Sequence, residues 1–139
     1  MFKENFWIRK DDVKTINHKI KNFIYIVNLF RNIKYKWGGK TFKGIDCSGL
    51  VQIIYNYNNK FFPRDTVDQI KFKKGLKSKN KFKKGDIVFW KGHVGICINS
   101  KKFIHAYGPR KKVLIMPINQ TIKLIEKTAG LKVKKIFSI

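Results

Sequence analysis

Residues 46–57 read DCSGLVQIIYNY, and this stretch decides the fold. Leu50, Ile53 and Tyr57 recur at intervals of three and four, which is the period of a helix with one apolar face. The residues just before that row, Cys47 among them, lie at the cap and in the first turn. The sequence therefore predicts a helix that begins with a cysteine.

Cys47 is a candidate nucleophile because of this position. The N-terminus of a helix stabilises a thiolate through its unpaired backbone N–H groups and its partial positive charge. A reactive thiol also needs an imidazole within hydrogen-bonding reach and a third group that orients the ring. Taken singly, a buried cysteine is more often a packing residue. The interpretation therefore depends on histidines nearby.

Two histidines lie on neighbouring strands of a predicted hairpin. Residues 93–98 and 102–107 are apolar runs joined by Asn-Ser-Lys, which is a hairpin signature. His93 begins the first run, and His105 lies near the end of the second. Neighbouring strands are about 4.8 Å apart, so the two imidazoles can project from the same face and touch. His93 and His105 are the candidates for the base and its orienting partner.

Other segments complete an α+β pattern. Apolar residues between 12 and 33 recur at helical spacing and predict a lead-in helix, and the glycines within 35–45 predict a loop before the cysteine. Residues 6–10 resemble a strand without a partner. Further strands and one helix are predicted at 87–90, 113–116, 133–137 and 120–128. Helices followed by a sheet of about four or five strands indicate an α+β domain.

Composition bounds the class of protein. A chain of 139 residues fits one domain, and 43% hydrophobic residues are enough for a core. The net charge of +24, from 32 Lys and Arg against 8 Asp and Glu, would attract polyanions such as nucleic acid. However, the lysines are spread along the chain and do not alternate with aromatics as in single-strand binding platforms. A biased base composition of the genome explains the excess better, so no obligatory nucleic-acid partner is expected.

The second cysteine and the apolar runs predict neither a disulfide nor a membrane span. Cys97 lies four residues after His93 on the same strand, about 13 Å away, so two free thiols are expected. The three histidines and two cysteines lack zinc-ligand spacing, so no metal and no cofactor is expected. No run reaches the roughly 18 apolar residues of a membrane span, and no leader is visible. As written, the chain is expected to be cytoplasmic, or periplasmic or cell-wall associated if an upstream leader exists.

Six blocks of the chain resemble, in order, those of the NlpC-type cell-wall cysteine peptidases, over roughly residues 21–120. The blocks are YKWGG at 35–39, GIDCSGLVQ at 44–52, PRDT at 63–66, GDIVFW at 85–90, HVGI at 93–96 and IHA at 104–106. The resemblance implies a papain-like fold, with N-terminal helices packed on an antiparallel sheet of about five strands. It also implies a peptidase domain at 21–139, with 1–20 as a lead-in left from an upstream SH3-like domain.

The resemblance implies catalytic roles for four residues. Cys47 resembles the nucleophile of the family, His93 its general base, and His105 the residue that holds the base. Tyr35 resembles the tyrosine whose hydroxyl, together with the backbone N–H of Cys47, receives the charge that develops on the carbonyl oxygen. The residues alone already favoured the cysteine and the two histidines; the tyrosine rests on the resemblance.

Three more matches concern the substrate. Asp46 and Ser48 resemble the residues that bind the free amino terminus of the substrate, and Thr66 stands where the family often has a serine of the same pocket. A carboxylate is the natural partner of an ammonium group, but Asp46 is equally well placed to cap the helix. Trp37 and Trp90 also lie in matching blocks and are expected to pack.

For activity, the resemblance implies hydrolysis of the bond between γ-linked D-glutamate and a diamino acid in peptidoglycan stem peptides. The partner would be a stem peptide or its free fragments, and a monomer is expected. A second class stays open, a noncatalytic basic module that binds nucleic acid or another anionic polymer with steep salt dependence. An acyltransferase on the same core is disfavoured, because lipid-acting relatives place histidine before cysteine.

Overall fold

The computed structural model describes residues 7–15, 17–18, 22–57 and 60–138. Its helices are α1 (Ile24–Leu29), α2 (Cys47–Asn56), α3 (Thr66–Gln69) and α4 (Ile118–Ala129). The strands are β1 (Lys40–Thr41), β2 (Gly44–Ile45), β3 (Asp86–Trp90), β4 (His93–Cys97), β5 (Lys102–Tyr107), β6 (Lys112–Pro117) and β7 (Lys135–Ser138). Short 3-10 helices occupy Lys10–Asp12 and Gly108–Arg110. Within the described ranges, each helix is too short or too polar to cross a membrane.

The five longer strands form one antiparallel sheet in the order β6-β5-β4-β3-β7. The register pairs Trp90 with His93 across β3 and β4, and Ile96 with Ile104 across β4 and β5. Because α4 separates β6 from β7, the last strand can pair with β3 at the opposite edge of the sheet. The predicted α+β fold with a five-stranded antiparallel sheet is confirmed, and so is the predicted hairpin of β4 and β5.

Side chains point alternately to the two faces of the sheet along each strand, so the core has two layers. One face of the sheet packs against α1 and α2, and the first layer includes Val27, Leu50, Ile54, Phe89, Val94 and Ile104. The other face packs against α4, and the second layer includes Val88, Trp90, Cys97, Phe103 and Ile125. Each fully buried side chain of this kind contributes roughly 1.5–3 kcal/mol. Because β4 is buried on both faces, the strand that begins with His93 is firmly held.

Helix α2 begins at Cys47 because Asp46 caps it. The backbone of Asp46 is extended, and its Oδ1 accepts a hydrogen bond from the backbone N–H of Gly49 at 2.7 Å. A Cβ at position 49 would lie 2.7 Å from the carbonyl oxygen of Gly39, so only glycine fits there. The predicted place of Cys47 in the first turn of a helix is confirmed.

The lead-in helix is shorter than predicted. The apolar period predicted a helix across residues 12–33, whereas α1 covers only Ile24–Leu29. Val13 has an extended backbone and is 40% exposed, so its apolar side chain lacks the packing that would favour a helix there. Ile16 and Ile20, which belong to the same predicted face, lie outside the described residues.

The strand predicted over residues 6–10 is wrong where the structure describes it. Trp7 and Ile8 are exposed and not in a strand, and Lys10 begins a 3-10 helix; Phe6 lies outside the described residues. With no neighbouring strand to pair with, an isolated extended segment gains no ladder hydrogen bonds. The predicted boundary at residue 20 also lies outside the described residues and stays a prediction.

The glycine-rich segment before Cys47 is a small hairpin where a loop was predicted. Lys40 of β1 pairs with Ile45 of β2, and a bridge also joins Tyr35 to Ile45. Gly38 has a φ of +70°, a left-handed conformation that favours glycine. The hairpin fixes the approach of the chain to α2, which a free loop would not.

Asp86 anchors the C-terminal strand to the sheet. Its buried carboxylate accepts hydrogen bonds from Lys79 Nζ and Ser138 Oγ, each at 2.5 Å, and from the backbone N–H of Lys83 at 2.8 Å. Burial raises the pKa of Asp86, but the hydrogen bonds from these three residues outweigh it and leave the pKa below its usual value. One carboxylate thereby joins β3, β7 and the loop between α3 and β3.

We expect Asp86→Ala to lower the free energy of unfolding by about 3 kcal/mol, because it leaves Lys79 without its buried partner. Urea unfolding followed by circular dichroism measures the change. Asp11→Ala, which removes an exposed carboxylate, should change the free energy by less than about 0.5 kcal/mol. Equal losses in the two variants would contradict the anchoring role.

Candidate active site

Cys47 lies where α2 meets the turn between β3 and β4. Its side chain is buried, and Sγ donates toward the carbonyl oxygen of Gly92 at 3.9 Å. The backbone of Val94 also hydrogen-bonds the sulfur. Gly92 and Val94 flank His93 in the chain. The thiol therefore contacts the backbone on both sides of His93.

His93 and His105 form a buried pair. The Nε2 atom of His93 and the Nδ1 atom of His105 are 2.9 Å apart, and the two residues are 8% and 0% exposed. The His93 ring also contacts the rings of Trp90 and Tyr107. The prediction that the two imidazoles share a face and touch is confirmed.

The hydrogen bond between the imidazoles restricts their tautomers. If Nδ1 of His93 is to accept a proton, Nε2 must carry the hydrogen and donate it to Nδ1 of His105. The hydrogen of His105 is then on Nε2, which is buried and has no hydrogen-bond partner within the described part of the chain. This tautomer leaves the buried Nε2–H of His105 without a partner among the described residues, which costs free energy. Unpaired buried groups of this kind occur at catalytic sites.

Burial keeps both imidazoles neutral. Burial lowers the pKa of His105 to about 4, and burial together with the charge of His105 lowers the pKa of His93 to about 3. At neutral pH neither ring is positively charged, so His93 is available to accept a proton. A base must be unprotonated before it can act.

The pKa of Cys47 is raised, although its place at the start of a helix favours the thiolate. Burial raises the pKa of Cys47, and the charge of Asp46 raises it further. Hydrogen bonds from the backbone of Val94 and Ser48 and from the Thr66 side chain lower it but do not offset burial. Removing the sulfur from water therefore outweighs the stabilisation at the end of the helix.

Arg64 holds the residues on either side of Cys47. Its guanidinium bonds both carboxylate oxygens of Asp46, at 2.6 and 3.0 Å, and the hydroxyl of Ser48 at 2.8 Å. Asp46 also accepts hydrogen bonds from the backbone N–H groups of Gly38, at 2.8 Å, and Gly49, at 2.7 Å. Sequence analysis gave Asp46 two candidate roles, and the structure shows the capping role.

Tyr35 and Thr66 lie on either side of Cys47. Burial raises the pKa of Tyr35, and the charges of Cys47 and Asp46 raise it further, so the phenol is within electrostatic reach of the sulfur. Thr66 begins α3 and hydrogen-bonds Cys47 through its side chain. The structure thus places Asp46, Ser48, Tyr35 and Thr66 near Cys47 and bonds His93 to His105, and the thiol contacts the backbone of Gly92, next to His93 in the chain.

A pocket of about 390 Å³ opens beside Cys47. Trp37 lines it and is 81% exposed, so the prediction that this tryptophan packs is wrong, whereas Trp90 is buried as predicted. Asp65 and Asp68 line the same pocket and were not assigned to the site from sequence.

Gln69 supports the site and was also missed. It is fully buried, and its Nε2 atom donates to the carbonyl oxygens of Ser48, at 2.9 Å, and Pro63, at 2.8 Å. These bonds connect α3 to the first turn of α2. The contact with Ser48 spans 21 residues of sequence, and nothing local in the sequence indicates it.

The sequence pattern of the NlpC/P60 family matches residues 32–128 of the chain. The chain belongs to the NlpC/P60 family. The match includes the whole pocket beside Cys47 and both histidines of the buried pair. The predicted membership in a family of papain-like cell-wall peptidases is confirmed.

Similar members of the NlpC/P60 family include proteins with named activities. The γ-D-glutamyl-L-lysine dipeptidyl-peptidase of Bacillus subtilis is 32% identical over 132 residues, which cover 88% of this chain and 44% of that protein. The murein DD-endopeptidase MepS/murein LD-carboxypeptidase of Escherichia coli is 34% identical over 97 residues, which cover 66% of this chain and 50% of that protein. The chain spans about half the length of these curated relatives.

A solved NlpC/P60 structure has the same fold. The crystal structure of a family protein from Bacillus cereus superposes with a TM-score of 0.75 at 28% sequence identity. The superposition covers 94% of this chain and 45% of that chain. The arrangement of helices and sheet around Cys47 is therefore the arrangement of the family.

We expect Cys47 to react with iodoacetamide along a pH profile whose midpoint lies above the usual thiol value of about 8.5, because burial disfavours the thiolate. Mass spectrometry of the peptide that contains Cys47 gives the rate at each pH. Free glutathione in the same tube provides the reference profile. A midpoint under about pH 7 would instead indicate a resting thiolate paired with an imidazolium.

Arg64→Met should move that midpoint to higher pH, because the charge of Asp46 beside Cys47 loses its counter-ion. The double variant Asp46→Asn/Arg64→Met removes both charges and should return the midpoint toward the wild-type value. The same alkylation assay measures all three proteins. A midpoint that stays unchanged in Arg64→Met would show that the pair does not act on the thiol.

Proposed function

We propose that this chain is a cysteine peptidase that hydrolyses the bond between γ-linked D-glutamate and a diamino acid in peptidoglycan stem peptides. The observation that carries the proposal is the contact of the Cys47 thiol with the backbone around His93, whose ring is bonded to His105. A thiol nucleophile requires a neutral imidazole within reach, and the backbone contact at Gly92 puts His93 next to the thiol in the chain. The adjoining pocket gives a peptide access to the sulfur.

The chemistry follows from the tautomer of the histidine pair. The sulfur of Cys47 attacks the carbonyl carbon, a C–S bond forms, and Nδ1 of His93 accepts the thiol proton. The oxyanion is stabilised by the backbone N–H of Cys47 and the hydroxyl of Tyr35. The C–N bond then breaks, and His93 returns the proton to the departing amine. Water activated by His93 hydrolyses the thioester and restores the thiol.

His105 serves this cycle as a positioning residue. Its bond to Nε2 fixes the orientation of the His93 ring and keeps the accepting nitrogen free. It also favours the doubly protonated ring during the reaction, since Nδ1 of His105 can accept from an imidazolium. Burial lowers the pKa of His93 and so disfavours its charged form. A hydrogen bond from the protonated His93 ring to Nδ1 of His105 would offset part of this cost.

Recognition of a free amino terminus is proposed for the pocket of about 390 Å³. Asp46 and Ser48 were predicted for this role, but Arg64 already bonds both side chains. An ammonium group bound there would share these acceptors with the guanidinium. Asp68 and Asp65, which lies 3.9 Å from Nη1 of Arg64, add carboxylates to the same pocket, which supports amine binding at this end of the site.

The names of the relatives support the choice of substrate class. The Bacillus subtilis relative is named for the γ-D-glutamyl-L-lysine bond, and the Escherichia coli relative is named for murein. Because this chain spans about half of each, the bond specificity is part of the proposal. The net charge of +24 would also concentrate stem peptides, which carry several carboxylates, near the surface.

We expect the protein to cut L-Ala-γ-D-Glu-diaminopimelate after D-glutamate, and Cys47→Ala to lose cleavage by at least about 1,000-fold because the nucleophile is removed. Mass spectrometry of the products measures it. Cys97→Ala is the matched control, since it removes the other free thiol, which lies in the core away from the pocket. Acetylation of the substrate amino terminus should reduce kcat/KM.

Three results would contradict the proposal. Cleavage by Cys47→Ala at the wild-type rate would exclude a thiol nucleophile. Cleavage at a different bond would exclude the proposed specificity while keeping the peptidase. Absence of cleavage by the folded wild-type protein, together with salt-dependent binding of polyanions, would favour a noncatalytic basic module.

A further inference from the structure

A second groove adjoins the pocket beside Cys47. It has a volume of about 170 Å³ and shares Thr66, Val67 and Gly92 with the larger pocket. Gly92 is the residue whose carbonyl oxygen lies 3.9 Å from the sulfur of Cys47. The two cavities therefore meet at Gly92, beside the thiol, and a peptide with its reacting carbonyl at the thiol could extend into both.

Three lysines line the second groove. Lys71 follows α3, Lys91 lies in the turn between β3 and β4, and Lys134 precedes β7. All three are exposed, and none forms a salt bridge with a carboxylate in the described ranges. Like charges that converge on one groove repel each other, so an anion placed there would relieve the repulsion.

The charge of the site reverses across Gly92. The larger pocket is lined by Asp46, Asp65 and Asp68, three of the 8 acidic residues in the chain, and by Arg64, which pairs with Asp46 and leaves the carboxylates in excess. Among the residues that the structure describes, no acidic side chain lines the groove, although it begins at the same Gly92. A high lysine content alone would place lysines on both sides of the thiol and would not separate the two signs.

We propose that Lys71, Lys91 and Lys134 form a subsite that binds a carboxylate on the leaving-group side of the scissile bond. The inference rests on the proposed peptidase function, because it assigns the groove to the part of the peptide that departs as an amine. The amino end of the substrate would lie toward Asp65 and Asp68, and the free carboxylate of the diamino acid toward the lysines. The two ends of the site would together orient a zwitterionic peptide in one direction.

The test compares two reagents that react with the same thiol. Iodoacetate carries a carboxylate, whereas iodoacetamide is neutral and similar in shape. Changes in the thiolate fraction of Cys47 cancel in the ratio of the two alkylation rates, so the ratio reports attraction of a carboxylate to the site. Mass spectrometry of the Cys47 peptide gives both rates.

The groove variant is Lys71→Gln/Lys91→Gln/Lys134→Gln, which removes three charges at exposed positions. The matched control is Lys101→Gln/Lys123→Gln/Lys127→Gln, which removes three charges from exposed lysines that do not line either cavity. We expect the ratio of iodoacetate to iodoacetamide rates to fall about tenfold in the groove variant and to change little in the control. In the wild type, about 1 M salt should also lower the ratio by screening.

An unchanged ratio in the groove variant would overturn the subsite. An equal fall in both triple variants would overturn it too, because the effect would then come from net charge. A second measurement compares cleavage of a stem peptide whose C-terminal carboxylate is free with cleavage of the same peptide amidated. The wild type should cut the free acid faster, and the groove variant should lose that preference. If the wild type cuts neither peptide, the proposed function fails, while the alkylation ratio still decides whether the groove attracts a carboxylate.

Discussion

The carboxylate of Asp46 is the interaction on which the rest of the site depends. It accepts five hydrogen bonds, from the N–H groups of Gly38 and Gly49, from the Ser48 hydroxyl and from two nitrogens of Arg64. A buried charge is stable only when it is paired and its lone pairs are filled, so these partners are fixed in place together. The loop before α2, the first turn of α2 and the segment before α3 thereby form one unit around Cys47.

Burial sets the resting state of the catalytic groups. The same packing that orients Cys47 and the histidines also removes them from water, which disfavours both thiolate and imidazolium. Burial therefore favours a neutral thiol and neutral imidazoles, and in the proposed reaction the charge separation would arise when a substrate carbonyl is attacked. Fixed dipoles, such as the N–H of Cys47, would stabilise that charge without having to reorient.

The sequence predicted the elements whose signals are local. Helix α2 and the hairpin of β4 and β5 have a clear apolar period and a clear turn, so Cys47, His93 and His105 could be placed in advance. The lead-in helix was overextended, because period alone does not tell whether a partner surface is present for Val13. Trp37 and Gln69 were misjudged or missed, since exposure and contacts over many residues depend on how the elements pack.

Acidic residues are more informative than lysines in a chain of this composition. A bias toward lysine codons places positive charge wherever it is tolerated, so a lysine by itself says little about function. Acidic residues number only 8, and four of them, Asp46, Asp65, Asp68 and Asp86, are described at the pocket or in the core. Each of these positions is one where a negative charge either has a structural partner or faces the substrate cavity. Their absence from the groove of Lys71, Lys91 and Lys134 is what makes the positive charge there distinct from the general excess.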